Sequence, residues 1–420
     1  MNVVKSGWFG VLVLMAALCW QGPAFGAERA DLEARITALE TELKSLKEEL
    51  VRSKDVHVDE HGIEVVSFGG IGVGAGATGI WQATDNANGD NQARLYDDVN
   101  DASYSVDIEI DKSFEDYGYA YLHLEAGGGA GVEDELAVLS NVNRDADNDE
   151  NVRVTEIYYE HYFEVLPLTL TVGKIDPTVY LDTNAYANDE AGQFLGRIFR
   201  NSPTVEFADN AAGVRMSLEP WEFLDAEFVA MDADSDFEDF FDNMFVAGQI
   251  TWKPGFGGRD GNYRVFGWSN DRPHADWRRT ERTKEEGYGF GVSIDQDITD
   301  AVGVFARYAW QDPDVVLEGE SFSLEHSWSA GVQVSGSLWS RESDAIGVAF
   351  GAVDPSKDYV EVNTLRGDSE KHLEVYYNFC VNEHLTVGPD LQVIWDPYGN
   401  DAANGTKTIT VYGLRGQMNY

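Results

Sequence analysis

The sequence predicts an all-β fold: a 16-stranded antiparallel transmembrane β-barrel preceded by a short coiled-coil helix. Three features specify it. From about residue 63 onward apolar and polar residues alternate with a period of two. Turn signals cut that region into sixteen candidate strands, beginning with 63–82, with the sixth at 204–218. The connections alternate long and short, with both chain ends on the short side, which is the layout of bacterial outer-membrane barrels. Backbone chemistry leads to the same fold. In lipid every N–H and C=O must be paired within the protein, so only a helix or a closed barrel spans, and no stretch after the first thirty residues approaches 18 consecutive apolar residues.

Composition supports this class. The chain of 420 residues carries 30 Lys plus Arg against 74 Asp plus Glu, a formal charge of −44. Such acidity argues against nucleic acid or an anionic membrane surface as partner. With 43% hydrophobic and 12% aromatic residues the chain is not a disordered one. Its 42 Gly and 11 Pro suit strands better than helices. The 2 Cys exclude a disulfide scaffold and a four-Cys zinc site.

The amino-terminal elements come first in chain order. Lys5, the apolar stretch 7–20, and Ala24 and Gly26 at −3 and −1 read as a secretory signal peptide, residues 1–26. Cys19 leaves with it, and Cys380 stays as a thiol without an internal partner. Leu32, Ile36, Leu39, Leu43, Leu46 and Leu50 then form a heptad seam, so 28–54 reads as a coiled-coil oligomerisation segment. Arg35 with Glu40 and Glu42 with Lys47 attract between parallel chains; a single amphipathic helix lying on the protein is the plainer reading. The seam is under three heptads and suits chains already held together elsewhere.

The barrel domain is placed at 62–420. Val106, Ile108 and Ile110 alternate with Asp107, Glu109 and Asp111, and Leu373, Val375, Tyr377 and Phe379 alternate with His372, Glu374, Tyr376 and Asn378. Each such run is a strand with one apolar and one polar face. An apolar band facing lipid and a polar inner face describe a water-filled barrel, and sixteen strands leave a channel. Trp252, Trp268, Trp310, Trp339 and Trp395 stand near strand ends, where interfacial girdles form. A soluble two-sheet or propeller protein is the competing fold. Strand phase places Asp107, Glu109, Arg215, Glu227, Arg307, Glu374, Asp390, Gln392 and Arg415 on the lumen side, together with Glu125 and Asp295. Tyr376 and Phe305 fall there too, as stacking surfaces for sugar rings or as space fillers.

Other signals carry less. Gly74-Ala75-Gly76-Ala77-Thr78-Gly79 reads GxGxxG but continues as a strand, not a helix. Asp145-x-Asp147-x-Asp149 and Asp232-x-Asp234-x-Asp236 lack the calcium-loop Gly; they read as solvated acidic tips, with loose divalent binding as the alternative. No HExxH, GxSxG or CxxC occurs, so no catalytic residue, metal site or cofactor is expected.

Leu170-Thr171-Val172-Gly173-Lys174-Ile175-Asp176, Tyr180-Leu181-Asp182-Thr183-Asn184 through Glu190, and Gln193-Phe194-Leu195 resemble carbohydrate-selective porins of the OprB type. So do Val304-Phe305-Ala306-Arg307-Tyr308-Ala309-Trp310, Ser327-Trp328-Ser329-Ala330-Gly331-Val332-Gln333 and Leu385-Thr386-Val387-Gly388-Pro389-Asp390-Leu391-Gln392, so that the likeness covers roughly 165 to 420. It implies an outer-membrane porin, usually a homotrimer, that passes sugars by diffusion, with lipid and lipopolysaccharide as neighbours. The heptad segment and the acidity depart from the simplest members. The acidic excess keeps open a general cation-preferring porin or a metal-chelate uptake channel. In such barrels the third outer loop, here 176–203, folds inward. Asp176, Asp182, Asn184, Asn188, Asp189, Gln193, Arg197 and Arg200 are then the expected constriction, since amides, carboxylates and guanidinium groups exchange hydrogen bonds with sugar hydroxyls. Turn-making is the plainer role for the Asp and Asn among them.

Overall fold

A computed structural model describes residues 56–58, 64–68, 70–87, 98–146, 150–239, 241–279, 281, 285–403 and 405–420. The proposed signal peptide and coiled-coil segment lie outside the described residues. The sixteen barrel strands are β1 Ile71–Asp85, β2 Asn100–Phe114, β3 Gly118–Gly128, β4 Arg153–Tyr162, β5 Leu168–Ile175, β6 Ala211–Trp221, β7 Leu224–Asp232, β8 Met244–Trp252, β9 Gly261–Asp276, β10 Glu285–Thr299, β11 Val302–Gln311, β12 Leu324–Ser335, β13 Ala345–Pro355, β14 Glu370–Asn382, β15 Leu385–Trp395 and β16 Ile409–Asn419. Each pairs antiparallel with the next, and β16 returns to β1 from Thr410 against Asp85 to Asn419 against Gly76. Ala75 and Tyr420 exchange a further pair of backbone hydrogen bonds at 2.9 and 2.8 Å. Among the described residues the sixteen barrel strands close without an unpaired edge, which is the condition for crossing lipid with strands.

The two faces follow the period-two pattern. On β2, Tyr104, Val106 and Ile108 face out while Ser103, Ser105, Glu109 and Asp111 are buried inside. Outward residues such as Ile157, Ile250, Val265 and Leu414 are half exposed all round the barrel. An apolar belt of this extent belongs in hydrocarbon rather than in water.

Five details differ from expectation, each for a local reason. The first strand divides: Glu64–Phe68 forms a separate short strand, and the chain turns at Gly70, whose φ of 76° suits a residue without Cβ, before β1 begins. The sixth strand starts at Ala211 instead of 204, because Val205 and Phe207, which pack into the inner apolar cluster, stand two apart and so imitate strand alternation. Short helices occur where only loops were expected. The longest, Lys357–Asn363, is capped by the Ser356 hydroxyl accepting from the Tyr359 N–H at 3.2 Å. Trp268 is not part of a girdle: it points inward, is 5% exposed, and stacks on Phe245. A short strand, Val315–Leu317, pairs with His274–Asp276 and raises the barrel rim above β9.

The long connections are L1 (86–99), L2 (129–152), L3 (176–210), L4 (233–243), L5 (277–284), L6 (312–323), L7 (356–369) and L8 (396–408). The opposite turns are mostly tight, though 253–260 and 336–344 are as long as L5. L2 and L3 fold into the barrel and decide where it is open.

Candidate functional site

L3 is held inside the barrel by an apolar spine. Leu181, Phe194, Leu195, Ile198, Phe199 and Val205 are all at most 1% exposed. Phe194, Ile198 and Phe199 pack on Phe305, Ala349, Leu324 and Tyr376 of the wall. That wall can receive them because its inner positions are small. A Cβ on Gly351 would lie 2.9 Å from Ile198 Cδ1, and one on Gly347 would lie 3.0 Å from the Phe194 ring. Phe305 and Tyr376, expected as sugar-stacking surfaces, are therefore covered by L3 and are 3% and 1% exposed.

Polar groups complete the attachment. Asp182 sits in the left-handed region (φ 55°) with no exposed surface. Its carboxylate accepts from Arg307 Nε at 3.2 Å and from the Ser202 N–H at 2.6 Å. Arg307 also donates to the carbonyls of Phe199 (2.5 Å) and Asp182 (2.9 Å) and to Asn188 Oδ1 (3.2 Å). Asn184 donates to Ser293 Oγ and to the Ile294 carbonyl at 3.2 and 3.1 Å. The Gln193 side chain accepts from the Asn188 and Asp189 N–H groups and donates to the Ala185 carbonyl, closing the loop on itself. Glu374 accepts from the Leu195 and Gly196 N–H groups at 2.6 and 3.0 Å. At the far wall Arg415 donates to the Glu190 and Gln193 carbonyls at 3.0 and 2.8 Å, so L3 leaves β5 and reaches across the lumen to β16.

L2 is docked in the same way. Glu370 accepts from the Leu139 and Ser140 N–H groups, and Gln392 donates to the Val142 carbonyl at 2.9 Å and to Asp390 at 2.9 Å. Thus Glu374, Asp390, Gln392, Arg307 and Arg415 do face inward, as strand phase indicates, but they lie beneath L2 and L3 and hold them. Glu109 also faces inward and is fully buried.

Between L3 and the β2–β5 wall the barrel stays open as a gap with a cavity volume of about 470 Å³. Asp107, Glu125, Arg153 and Lys174 line it from the strands, Arg144 and Asp145 from L2, and Asp176, Asn188, Asp189, Glu190, Arg200 and Asp209 from L3. Four of the eight expected constriction residues are therefore at the gap: Asp176, Asn188, Asp189 and Arg200. Asp182, Asn184 and Gln193 serve loop architecture instead. Arg197 lies beside a separate outer cavity. Arg144, Asp145, Arg153, Lys174, Glu190 and Asp209 were not expected. Lys174 and Glu190 stood within the family-like runs, and Asp145 within an acidic repeat, but inward docking of L2 leaves no sequence signal.

The gap carries both signs of charge. Arg200 Nε binds Glu190 Oε2 at 2.7 Å. Burial works against charge on Glu190, and the Arg200 and Arg144 guanidinium groups overcome it, holding the carboxyl at about 2. Asp145 behaves oppositely: burial pushes it up to about 7, against the Ser105 hydroxyl that donates to it at 2.9 Å. Further down, Arg215 grips Glu227 with two bonds of 2.8 and 2.9 Å and touches Glu160 at 3.1 Å, with its guanidinium 4.4 Å from the Tyr180 ring centre. Tyr119, Tyr121 and Tyr158 continue this inner surface, with ring centres 6.3 and 5.2 Å apart.

The chain matches the family model described as the carbohydrate-selective porin, OprB family, over residues 92–420. An uncharacterized protein of Aquifex aeolicus (strain VF5) is 23% identical over 297 residues, covering 70% of this chain and 77% of that one. The structure of Pseudomonas putida OprB at high pH superposes with a TM-score of 0.70 at 16% identity, covering 84% of this chain and 94% of that chain. The outer membrane channel DcaP of Acinetobacter baumannii gives 0.54 at 12% identity, covering 84% and 99%. At these identities the two structures establish the likeness of fold.

Proposed function

The chain belongs to the OprB family of carbohydrate-selective porins, and we propose that sugars cross its barrel through the gap between L3 and the β2–β5 wall. As a family member it is an outer-membrane channel for sugars. The observation that supports this particular path is the contrast in the lumen: the apolar spine of L3 is packed against the wall, whereas this gap is open and lined by polar and charged side chains.

The mechanism is exchange of hydrogen bonds during diffusion. A pyranose entering the gap loses part of its water. Arg153, Lys174, Arg144 and Arg200 donate to its hydroxyls, while Asp107, Glu125, Asp176 and Asp209 accept from them. Each contact is weak and replaceable, so the solute leaves as readily as it enters. Opposed charges set a transverse field that orders water and dipolar solutes; no covalent step or cofactor takes part. Arg215 and Glu227, with Tyr119 and Tyr180, offer the next polar and aromatic surface below. The acidic excess adds a cation preference for salts as a secondary property.

Assembly belongs to the same reading. Residues 1–26 direct export, and the 28–54 heptads join barrels as a homotrimer. Acidic outer loops meet lipopolysaccharide through divalent cations. The test is single-channel recording in planar bilayers. Sugar-dependent interruption of the current, weakened by Arg153→Gln with Lys174→Gln, is the expected result. A salt current that ignores sugar altogether would sink this reading.

A further inference from the structure

Between L3, the raised rim of β9 and L6 lies a second cavity of about 300 Å³, at the lower end of the range of small-ligand sites. It shares Asp209 with the constriction gap, so the two adjoin at that side chain. We infer that this outer cavity is a capture site for a neutral saccharide, occupied before the solute enters the gap. The inference rests on the sugar path proposed above.

Its chemistry is what distinguishes it. Arg197 and Arg272 both line the cavity, and neither guanidinium makes an ion pair or hydrogen bond among the described residues. In a chain with 74 acidic and 30 basic side chains, Arg215, Arg264, Arg307 and Arg341 are all paired to carboxylates, whereas these two share one cavity without such a bond. Each uncommitted guanidinium holds several N–H donors in a rigid fork. An acceptor is provided opposite in charge: Glu206 Oε2 lies 2.8 Å from Nε2 of the fully buried His274, whose Nδ1 lies 2.6 Å from the Arg272 carbonyl. This chain of contacts fixes the Glu206 carboxylate and ties it to the Arg272 backbone.

Two aromatic rings complete the lining. Phe207 is backed by Phe245 with centres 6.0 Å apart, and Phe322 by Tyr398 at 5.7 Å, so both are supported and half-buried. A supported ring beside paired donors and acceptors matches a pyranose, which has apolar C–H faces and a polar rim. Charge decides against the alternatives. Two guanidinium groups disfavour a cation, while Glu206, Asp209 and Glu320 outnumber them and disfavour an anion.

One-sided bilayer recording tests this. D-glucose is added to the loop side or to the opposite side of oriented channels, with potassium gluconate as the anionic probe. The expected result is that Arg272→Gln and Arg197→Gln raise the half-blocking glucose concentration about tenfold from the loop side, as for loss of one charge-assisted hydrogen bond. Block from the opposite side keeps its wild-type value, and salt conductance reports an intact barrel. Equal changes from both sides, no change from either, or gluconate blocking where glucose does not, each overturns the capture site while leaving the path through the gap standing. Absence of any sugar block in the wild type overturns both.

Discussion

The two walls of this barrel are built from the same kind of strand and do opposite things. Along β11–β14 the inner face sets small or apolar positions, Gly331, Gly347, Ala349 and Gly351, among the loop-holding Arg307, Glu370 and Glu374, and it receives the Phe194, Ile198 and Phe199 spine of L3. Along β2–β5 the inner face carries Asp107, His123, Glu125 and Arg153 and stays open. The difference teaches that pore position is decided by where a loop can be desolvated cheaply. A buried loop needs apolar contacts and a partner for every polar group, and the first wall supplies both to the Phe194–Phe199 stretch of L3.

The largest break in this contrast comes from the clamp. Arg307→Ala leaves Asp182 buried without its cation, at a cost of about 3–5 kcal/mol. L3 should leave the wall, and single-channel conductance should rise several-fold while urea resistance in detergent falls. Overfilling the wall is the next effect. Gly351→Val sets its Cβ 2.6 Å from the Trp328 carbonyl oxygen and 2.9 Å from Ile198 Cδ1, costing about 1–3 kcal/mol, with a smaller rise in conductance on the same recordings. On the open wall the expectation reverses. Lys174→Gln should change stability by about 0.5 kcal/mol or less but increase cation over anion preference, read as a reversal potential in a salt gradient.

The smallest effect is a titration. Burial raises Asp145 and Glu133, both in L2, to about 7. A raised carboxyl stabilises its docked loop in the neutral form. That contribution is complete below the ordinary carboxylate range and is lost as pH rises through about 7. Between pH 8 and pH 5 the gap should therefore lose a negative charge at Asp145 and with it some cation preference. Asp145→Asn should remove most of that dependence; an unchanged pH profile in the variant would place the titrating group elsewhere.

Legibility followed how local the determinant was. The strand number, their faces and the inward set Asp107, Arg215, Arg307, Glu374 and Arg415 were readable because a pleated strand turns every second side chain to one side. The false strand start at 204 shows the limit: Val205 and Phe207 alternate for apolar partners inside the barrel, not for a sheet neighbour. Trp268 shows it again, since its distance from a strand end said nothing about which face it takes.

Within L3 residue type narrowed the candidates but could not separate roles. Asp182 and Asp189 are chemically alike and seven positions apart; one meets Arg307 in a dry interior and the other borders water. The outer capture site and the L2 contribution through Arg144 and Asp145 had no signature at all, because they join segments far apart in the chain.

By itself, then, the sequence determined a closed barrel with a greasy outside and a polar inside, since backbone pairing and alternation are local and lipid permits few solutions. The tertiary structure alone decided which polar residues face water and which secure a loop. That choice depends on the desolvation of each group by partners distant in the chain, which no spacing along the chain encodes.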